Sequence, residues 1–135
     1  MVGLMSDLIE VLLAVFLVSS GSIIGSLIRF KITTQLKEFH VPRFIPIFFV
    51  NCLASFFLGL IISFEKNSST NFLNEKFLLF IIVGLLGSLS TFSSFIWEIF
   101  FNIRKKYWFK TFFITAVSIF GGLLFAFAGY KLGNA

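Results

Sequence analysis

Four long stretches of the sequence contain no charged residue, and each is about long enough to cross a membrane as a helix. They run from Val11 to Ile28, from Phe44 to Phe64, from Phe77 to Trp97 and from Thr111 to Tyr130. A hydrocarbon core of ~30 Å is crossed by roughly 20 helical residues. The stretches are continuously apolar, whereas the strands of a membrane β-barrel alternate in polarity. The sequence therefore predicts an all-α membrane protein with four transmembrane helices.

Composition leaves little chain for a separate soluble domain. Of 135 residues, 58% are hydrophobic and 13% are charged, and the charged residues lie almost entirely between the apolar stretches or at the ends. We expect one domain over residues 1–135, with helices over about 8–30, 44–64, 77–103 and 108–131. Asp7 and Glu10 precede the first stretch, where a cleaved signal peptide would carry positive charge. We therefore expect this stretch to remain in the mature protein.

The net charge of +5 does not indicate a nucleic-acid-binding protein. The Lys and Arg residues cluster in short loops beside apolar stretches, which is typical of loops near anionic lipid headgroups. Trp97, Tyr107 and Trp108 lie beside one of these loops, as aromatic residues do at membrane interfaces. The sequence has no Walker loop, HExxH motif, paired carboxylates or Ser/His/Asp set, so we expect no enzyme.

The middle of the third stretch is unusually polar. The twelve residues from Gly84 to Phe95 include two glycines and five hydroxyl residues. Such residues favour departures from helical geometry, and irregular backbone at that depth must be covered by protein or water. A break also frees backbone carbonyls, from which membrane proteins build cation sites. We expect the third helix to be broken near the membrane midplane; a continuous, hydroxyl-rich helix packed on its neighbours is the alternative.

Other residues could line an ion pathway, and each has a structural alternative. Phe92 and Phe95 share one helix face, and the positive edges of their rings could contact an anion, although lipid or core packing is common for phenylalanine. Asn51 could donate to an anion or to a neighbouring helix. Thr115 and Ser118 follow one face of the fourth stretch, where they could extend a hydroxyl track or bond to their own helix.

Together these motifs resemble the Fluc (CrcB) family of fluoride channels over nearly the whole chain. The most specific part is the Thr-Phe-Ser-x-Phe core that follows two glycines, combined with an asparagine in the second stretch. The positions that carry the resemblance are Gly21, Gly25, Arg29, Phe30, Val50, Asn51, Ser55, Gly59, Gly84, Gly87, Ser90, Thr91, Phe92, Ser93, Ser94, Phe95 and Glu98.

The resemblance implies an antiparallel dimer with two narrow pores that carries fluoride passively out of the cytoplasm of a bacterium, across its inner membrane. It also implies a structural sodium ion, not transported, held by the backbone carbonyls of Gly87 and Ser90, although the family usually has threonine where Ser90 stands. The implied pore residues are Asn51, Phe92, Phe95, Ser93, Ser94, Glu98, Thr115 and Ser118, and Arg29 would have a structural role.

The main alternative function is proton-coupled export of cationic compounds, as in the small multidrug-resistance proteins. That mechanism requires a carboxylate embedded in the membrane. Glu10 and Glu98 both lie at the ends of apolar stretches, where snorkelling to the interface is the default interpretation. A third possibility is a membrane subunit that transports nothing, and the polar residues of the third stretch argue against it.

The distribution of Lys and Arg predicts one orientation for the chain. Eight of them lie in the loops that join the first stretch to the second and the third to the fourth, and three lie on the opposite side. Cytoplasmic loops carry the excess of Lys and Arg, so both termini are expected outside. An antiparallel homodimer requires one sequence to insert both ways. The bias therefore favours a heterodimer with a similar chain of opposite bias, and a dual-topology homodimer is the alternative.

Overall fold

A computed structural model describes residues 2–38, 41–67 and 75–134 of the chain. Within these residues, four helical stretches are long and apolar enough to cross a membrane: Gly3–Leu36, Phe44–Lys66, Glu75–Arg104 and Trp108–Gly133. This confirms the prediction of an all-helical protein with four membrane spans. The first helix, α1, runs from Val2 to Glu38 and is longer at both ends than predicted.

The third span consists of several helical pieces. α2 covers Phe44–Asn67, and the third span then begins with α3, Glu75–Leu78. A π-helical segment follows over Leu79–Leu86, in which hydrogen bonds reach back five residues, as from the Gly87 N–H to the Ile82 carbonyl. The short α4, Gly87–Leu89, and α5, Phe92–Arg104, complete the span, and α6 covers Trp108–Gly133.

The helices pack as two close pairs. α2 lies along α6, and α1 lies along the π-helical segment. Glycines allow both contacts: a Cβ at Gly129 would overlap the Phe56 carbonyl, and one at Gly21 would overlap the Phe80 carbonyl. Because the hydrophobic effect does not drive association of helices within lipid, such close backbone packing is a main source of cohesion.

A small core lies where α2 meets the third span. It consists of the buried residues Ala54, Leu86 and Leu89, with partly buried leucines and isoleucines around them. Elsewhere large apolar side chains remain exposed, among them Phe16 on α1 and Phe112 on α6, which are 71% and 74% exposed. Such surfaces are stable only against lipid or another chain. The protein is therefore a multi-pass membrane protein.

Candidate functional site

Two residues with extended backbone separate α4 from α5. Ser90 has φ −69° and ψ 149°, and Thr91 has φ −137° and ψ 107°. The Thr91 hydroxyl accepts a hydrogen bond from the Ser94 N–H at 3.3 Å, which caps the first turn of α5. Threonine is favoured at this position because its side-chain oxygen replaces the missing helical acceptor. The hydroxyl-rich sequence thus provides its own start signal for α5.

Asn51 of α2 bridges to this two-residue link. Its Oδ1 accepts from the Thr91 N–H at 2.8 Å, and its Nδ2 donates to the Thr91 carbonyl at 3.4 Å. These are interhelical hydrogen bonds, one of the two roles that the sequence allows for this residue. An amide nitrogen carries two hydrogens, so the second N–H can still donate to an anion.

The bridge from Asn51 takes the Thr91 N–H away from the Gly87 carbonyl. In a continuous α-helix the Thr91 N–H would bind the Gly87 carbonyl, but here it binds Asn51. The Ser90 carbonyl accepts from Arg29 Nη1 at 3.3 Å and retains a second lone pair. Hard cations such as sodium are bound in membrane proteins by carbonyl oxygens released in this way. The carbonyls of Gly87 and Ser90 are therefore of the kind that a sodium ion requires, although the Arg29 guanidinium brings positive charge beside Ser90.

Gly87 has open space around its Cα within the chain. It is exposed, and a Cβ added there would meet only the Ile82 carbonyl at 3.5 Å, an ordinary contact. Nothing within one chain therefore requires glycine at this position. This differs from Gly21 and Gly84, which lie against the backbone of a neighbouring helix.

Phe92 and Phe95 lie together at the start of α5. Their ring centroids are 6.3 Å apart, and the ring planes are inclined at 44°. Phe92 is 74% exposed and Phe95 is partly buried. Two neighbouring rings with an open side can present their positive edges to an anion.

A cavity of about 810 Å³ with mixed polar and apolar lining opens beside this link, between α1, the start of α2 and α5. It contains Ser93, Ser94 and Glu98 of the predicted pore set, together with Arg29. Two arginines and one glutamate are its charged residues, so its field favours anions. The complete lining is Ser26, Arg29, Phe30, Thr33, Val41, Arg43, Pro46, Ile47, Thr91, Ser93, Ser94, Trp97 and Glu98.

Several predicted pore residues lie outside this lining. Asn51 reaches it only through Thr91, while Phe92 and Phe95 are on the neighbouring part of α5. Thr115 donates to the Thr111 carbonyl at 2.9 Å. This is a bond within its own helix, the alternative to a place in the pore. Ser118 is partly buried on α6. Of the predicted pore set, the cavity of one chain therefore includes only Ser93, Ser94 and Glu98.

Comparison with known proteins agrees with these motifs. The family model described as "CrcB-like protein, Camphor Resistance (CrcB)" matches residues 16–130. The chain belongs to the CrcB family. CrcB relatives include "Fluoride-specific ion channel FluC 1" of Prochlorococcus marinus strain MIT 9313, which is 33% identical over 96% of this chain and 99% of its own length.

Two further CrcB relatives match at similar length. "Fluoride-specific ion channel FluC 2" of Prochlorococcus marinus strain NATL2A is 37% identical over 89% of this chain and 97% of the relative. "Fluoride-specific ion channel FluC" of Aquifex aeolicus strain VF5 is 32% identical over 90% of this chain and 97% of the relative. The family therefore extends over all four spans.

Glu98 is more enclosed in this CrcB chain than its place in the sequence suggests. It is 9% exposed, and Asn102, one helical turn later, is 2% exposed. The Asn102 side-chain amide donates to the Glu98 carbonyl at 2.8 Å and to Glu98 Oε1 at 3.3 Å. Asn102 and Arg43 are the site residues that sequence reasoning missed. The spacing of four residues between Glu98 and Asn102 is the signal that could have identified the first.

Proposed function

We propose that this chain forms a fluoride-selective channel that lets fluoride leave the cytoplasm down its electrochemical gradient. The observation that carries the proposal is the net cationic cavity that lies beside the Ser90–Thr91 link and is lined by Ser93 and Ser94, next to two phenylalanine rings. The names of the CrcB relatives, each a fluoride-specific ion channel, support the same ion.

The cavity supplies the interactions that a small anion needs when it loses water. Arg43, and Arg29 whose guanidinium also donates to the Ser90 carbonyl, raise the local concentration of anions in the cavity. The hydroxyls of Ser93 and Ser94 can then donate hydrogen bonds in place of water. Beyond them, the edges of Phe92 and Phe95 provide weak positive potential without a full charge, so that the ion is not trapped.

The working unit that we propose is an antiparallel dimer in which the interrupted third spans of two chains meet at the midplane. The exposed apolar surface of the chain is compatible with a partner as well as with lipid. The open space around Gly87 also supports it, since a second backbone could approach there.

The carbonyls of Gly87 and Ser90, contributed by both chains, would hold a structural sodium ion. Bound there, the ion would supply positive charge that offsets the carbonyl dipoles freed by the interruption of the third span. We expect protein purified and reconstituted with N-methylglucamine in place of sodium to lose fluoride flux, and readdition of sodium to restore it. Full flux without sodium would contradict this assignment.

The partner that we propose is a second, similar chain inserted the other way up. The support is the charge bias: eight Lys and Arg lie on one side of the membrane and three on the other, which favours a single orientation. A dual-topology homodimer is the alternative. We place the dimer in the inner membrane of a bacterium, where it would lower cytoplasmic fluoride.

The test of function is fluoride efflux from liposomes that contain the purified protein with its partner. Fluoride should appear outside, at a fluoride electrode, once valinomycin lets potassium balance the charge, without ATP and without a proton gradient. Chloride efflux under the same conditions should match that of protein-free liposomes. Chloride flux equal to fluoride flux would contradict the proposal, and flux that requires a proton gradient would favour the exporter mechanism.

A matched pair of variants links this flux to the site. Phe95→Ile should reduce fluoride efflux by about tenfold or more, equivalent to losing about 1.4 kcal/mol, because an aliphatic side chain has no positive ring edge. Phe16→Ile, on the exposed surface of α1, should leave efflux unchanged. Equal fluoride efflux from both variants would show that Phe95 does not line the pore.

A further inference from the structure

The turn between α5 and α6 combines exposed basic and aromatic side chains. Tyr107, Trp108 and Phe109 are 54%, 65% and 85% exposed. A shallow pocket of about 530 Å³ is lined by Lys106, Tyr107, Trp108, Phe109 and Lys110. Arg104 and Lys105 precede it, so four cations lie within seven consecutive residues.

No acidic residue of the chain's own sequence lies near enough in the chain to neutralise this cluster. After Glu98 the sequence contains no aspartate or glutamate. Glu98 itself is 9% exposed and accepts from Asn102, on the cavity side of α5. The Lys105 ammonium lies 4.3 Å from the centroid of the Phe101 ring. The turn therefore carries four positive charges with no carboxylate in the adjoining sequence.

The backbone of the turn fixes where Lys106 lies. The Tyr107 N–H binds the Asn102 carbonyl at 3.0 Å and the Lys106 N–H binds the Ile103 carbonyl at 2.8 Å, the paired bonds of a Schellman helix end. Lys106 has φ 61°, the left-handed conformation that glycine usually occupies at this position. Replacing Lys106 with glycine should therefore remove the ammonium group without disturbing the turn.

The turn joins two membrane spans, Glu75–Arg104 and Trp108–Gly133, so it lies at the level of the lipid headgroups. Lys and Arg attract the phosphate of anionic lipids there, and Trp and Tyr favour the same layer. Apolar faces of α5 and α6 continue from the turn into the membrane, where acyl chains would lie.

We propose that Lys106 and Lys110, together with Tyr107 and Trp108, bind the phosphodiester headgroup of an anionic phospholipid such as phosphatidylglycerol. The two ammonium groups neutralise the phosphate, the aromatic rings lie at the glycerol level, and the acyl chains follow the apolar helix faces. The proposal requires only that the chain is inserted in a membrane, and it is independent of fluoride conduction.

Trp108 can report the binding directly. The chain has two tryptophans, so Trp97→Phe leaves Trp108 as the only one. This variant is reconstituted in mixed phosphatidylglycerol and phosphatidylcholine vesicles in which one lipid or the other carries bromine, a contact quencher of tryptophan fluorescence. We expect brominated phosphatidylglycerol to quench Trp108 with about a fivefold or greater preference over its bulk fraction. Equal quenching by the two brominated lipids overturns the proposal.

Two variants in the same background separate a local site from general surface charge. Lys106→Gly combined with Lys110→Gln should bring the preference close to that of the bulk mixture, while thermal stability is retained because glycine suits the turn. Lys131→Gln, at the far end of α6, should leave the preference unchanged. An equal loss in Lys131→Gln, or an unchanged preference in the double variant, overturns the proposal.

Inorganic phosphate distinguishes a lipid site from a free-anion site. Millimolar phosphate added to the vesicles should leave quenching by brominated phosphatidylglycerol unchanged, because a lipid bound through its acyl chains as well as its headgroup is not displaced by the anion alone. Displacement of the lipid by phosphate would overturn the assignment to phospholipid.

Discussion

At the scale of single residues, the contact between Asn102 and Glu98 is the most informative feature of the site. Both side chains are buried, and the Asn102 amide donates to the carboxylate at 3.3 Å. A buried acceptor that loses its donor costs about 1–3 kcal/mol. Asn102 therefore holds Glu98 in the orientation in which it lines the cavity.

Substitution of Asn102 should consequently lower stability in a defined order. Asn102→Leu keeps the size but leaves Glu98 without its donor, so we expect a loss of about 1–3 kcal/mol. Asn102→Asp should be worse because two carboxyl groups would face each other. Adding Glu98→Gln should relieve part of the defect in Asn102→Asp. Thermal unfolding in detergent measures this order, and an Asp variant as stable as the parent would show that Asn102 does not act through the Glu98 carboxylate.

Sequence alone could predict the residue types of the site but not which of them meet. Glu98 lies at the end of an apolar stretch, where exposure is the default, and only the packing around α5 shows that it is enclosed. Thr115 fits a pore track or a bond to its own helix equally well, and the structure contains the second. Such choices depend on tertiary contacts between segments far apart in the chain, which a local pattern does not encode.

At the scale of helices, the contact between α2 and α6 depends on glycine at specific positions. A Cβ at Gly129 would overlap the Phe56 carbonyl, whereas one at Gly122 would meet the Ser55 hydroxyl at 3.7 Å, an ordinary distance. The two glycines lie in the same helix and differ in what they face. They therefore form a matched pair for testing how close packing contributes to stability.

Gly129→Ala should force α2 and α6 apart and destabilise the protein by about 2 kcal/mol or more, in the range of overpacked cores. Gly122→Ala should be neutral, or stabilising by up to about 1 kcal/mol, because alanine favours helix over glycine. Unfolding followed by helical circular dichroism tests both variants. Equal stability of the two variants would mean that α2 and α6 can move apart at no cost, and that the close contact at Gly129 does not stabilise the protein.

The four spans were predictable because each is an uncharged stretch of sufficient length, and length and hydropathy are properties of the sequence itself. The π-helical hydrogen bonds of Leu79–Leu86 were not, since apolar residues such as these occur equally in an α-helix. The segment packs along α1. Gly84 lies so close to α1 that a Cβ there would be 2.8 Å from the Val18 carbonyl.

At the scale of the whole molecule, the charge bias leads to a test of the proposed heterodimer. The chain expressed alone with a reporter on its C-terminus should report the outside almost exclusively, because cytoplasmic loops carry the excess of Lys and Arg. Changing Arg104, Lys105 and Lys106 to glutamine should shift the reporter towards both sides. Equal amounts of both orientations for the unmodified chain, or fluoride conduction by the chain purified alone, would rule the heterodimer out.

The length of α1 bears on how an ion approaches the membrane. Its 37 residues measure about 55 Å, yet the uncharged part from Val11 to Ile28 measures only about 27 Å, close to the hydrocarbon thickness. Roughly 15 Å of helix follows Ile28, of which about 6 Å crosses the headgroup layer and about 9 Å projects past it. The first turns of this part of α1 carry Arg29, Phe30 and Thr33, which form one wall of the cavity. Arg29 and Phe30 lie about 1.5 and 3 Å along the helix beyond Ile28, within the headgroup layer, and Thr33 lies about 7.5 Å beyond it, at the outer edge of that layer. The α1 wall of the cavity therefore spans the depth of the headgroups, so an anion that enters beside it passes the lipid phosphates against protein.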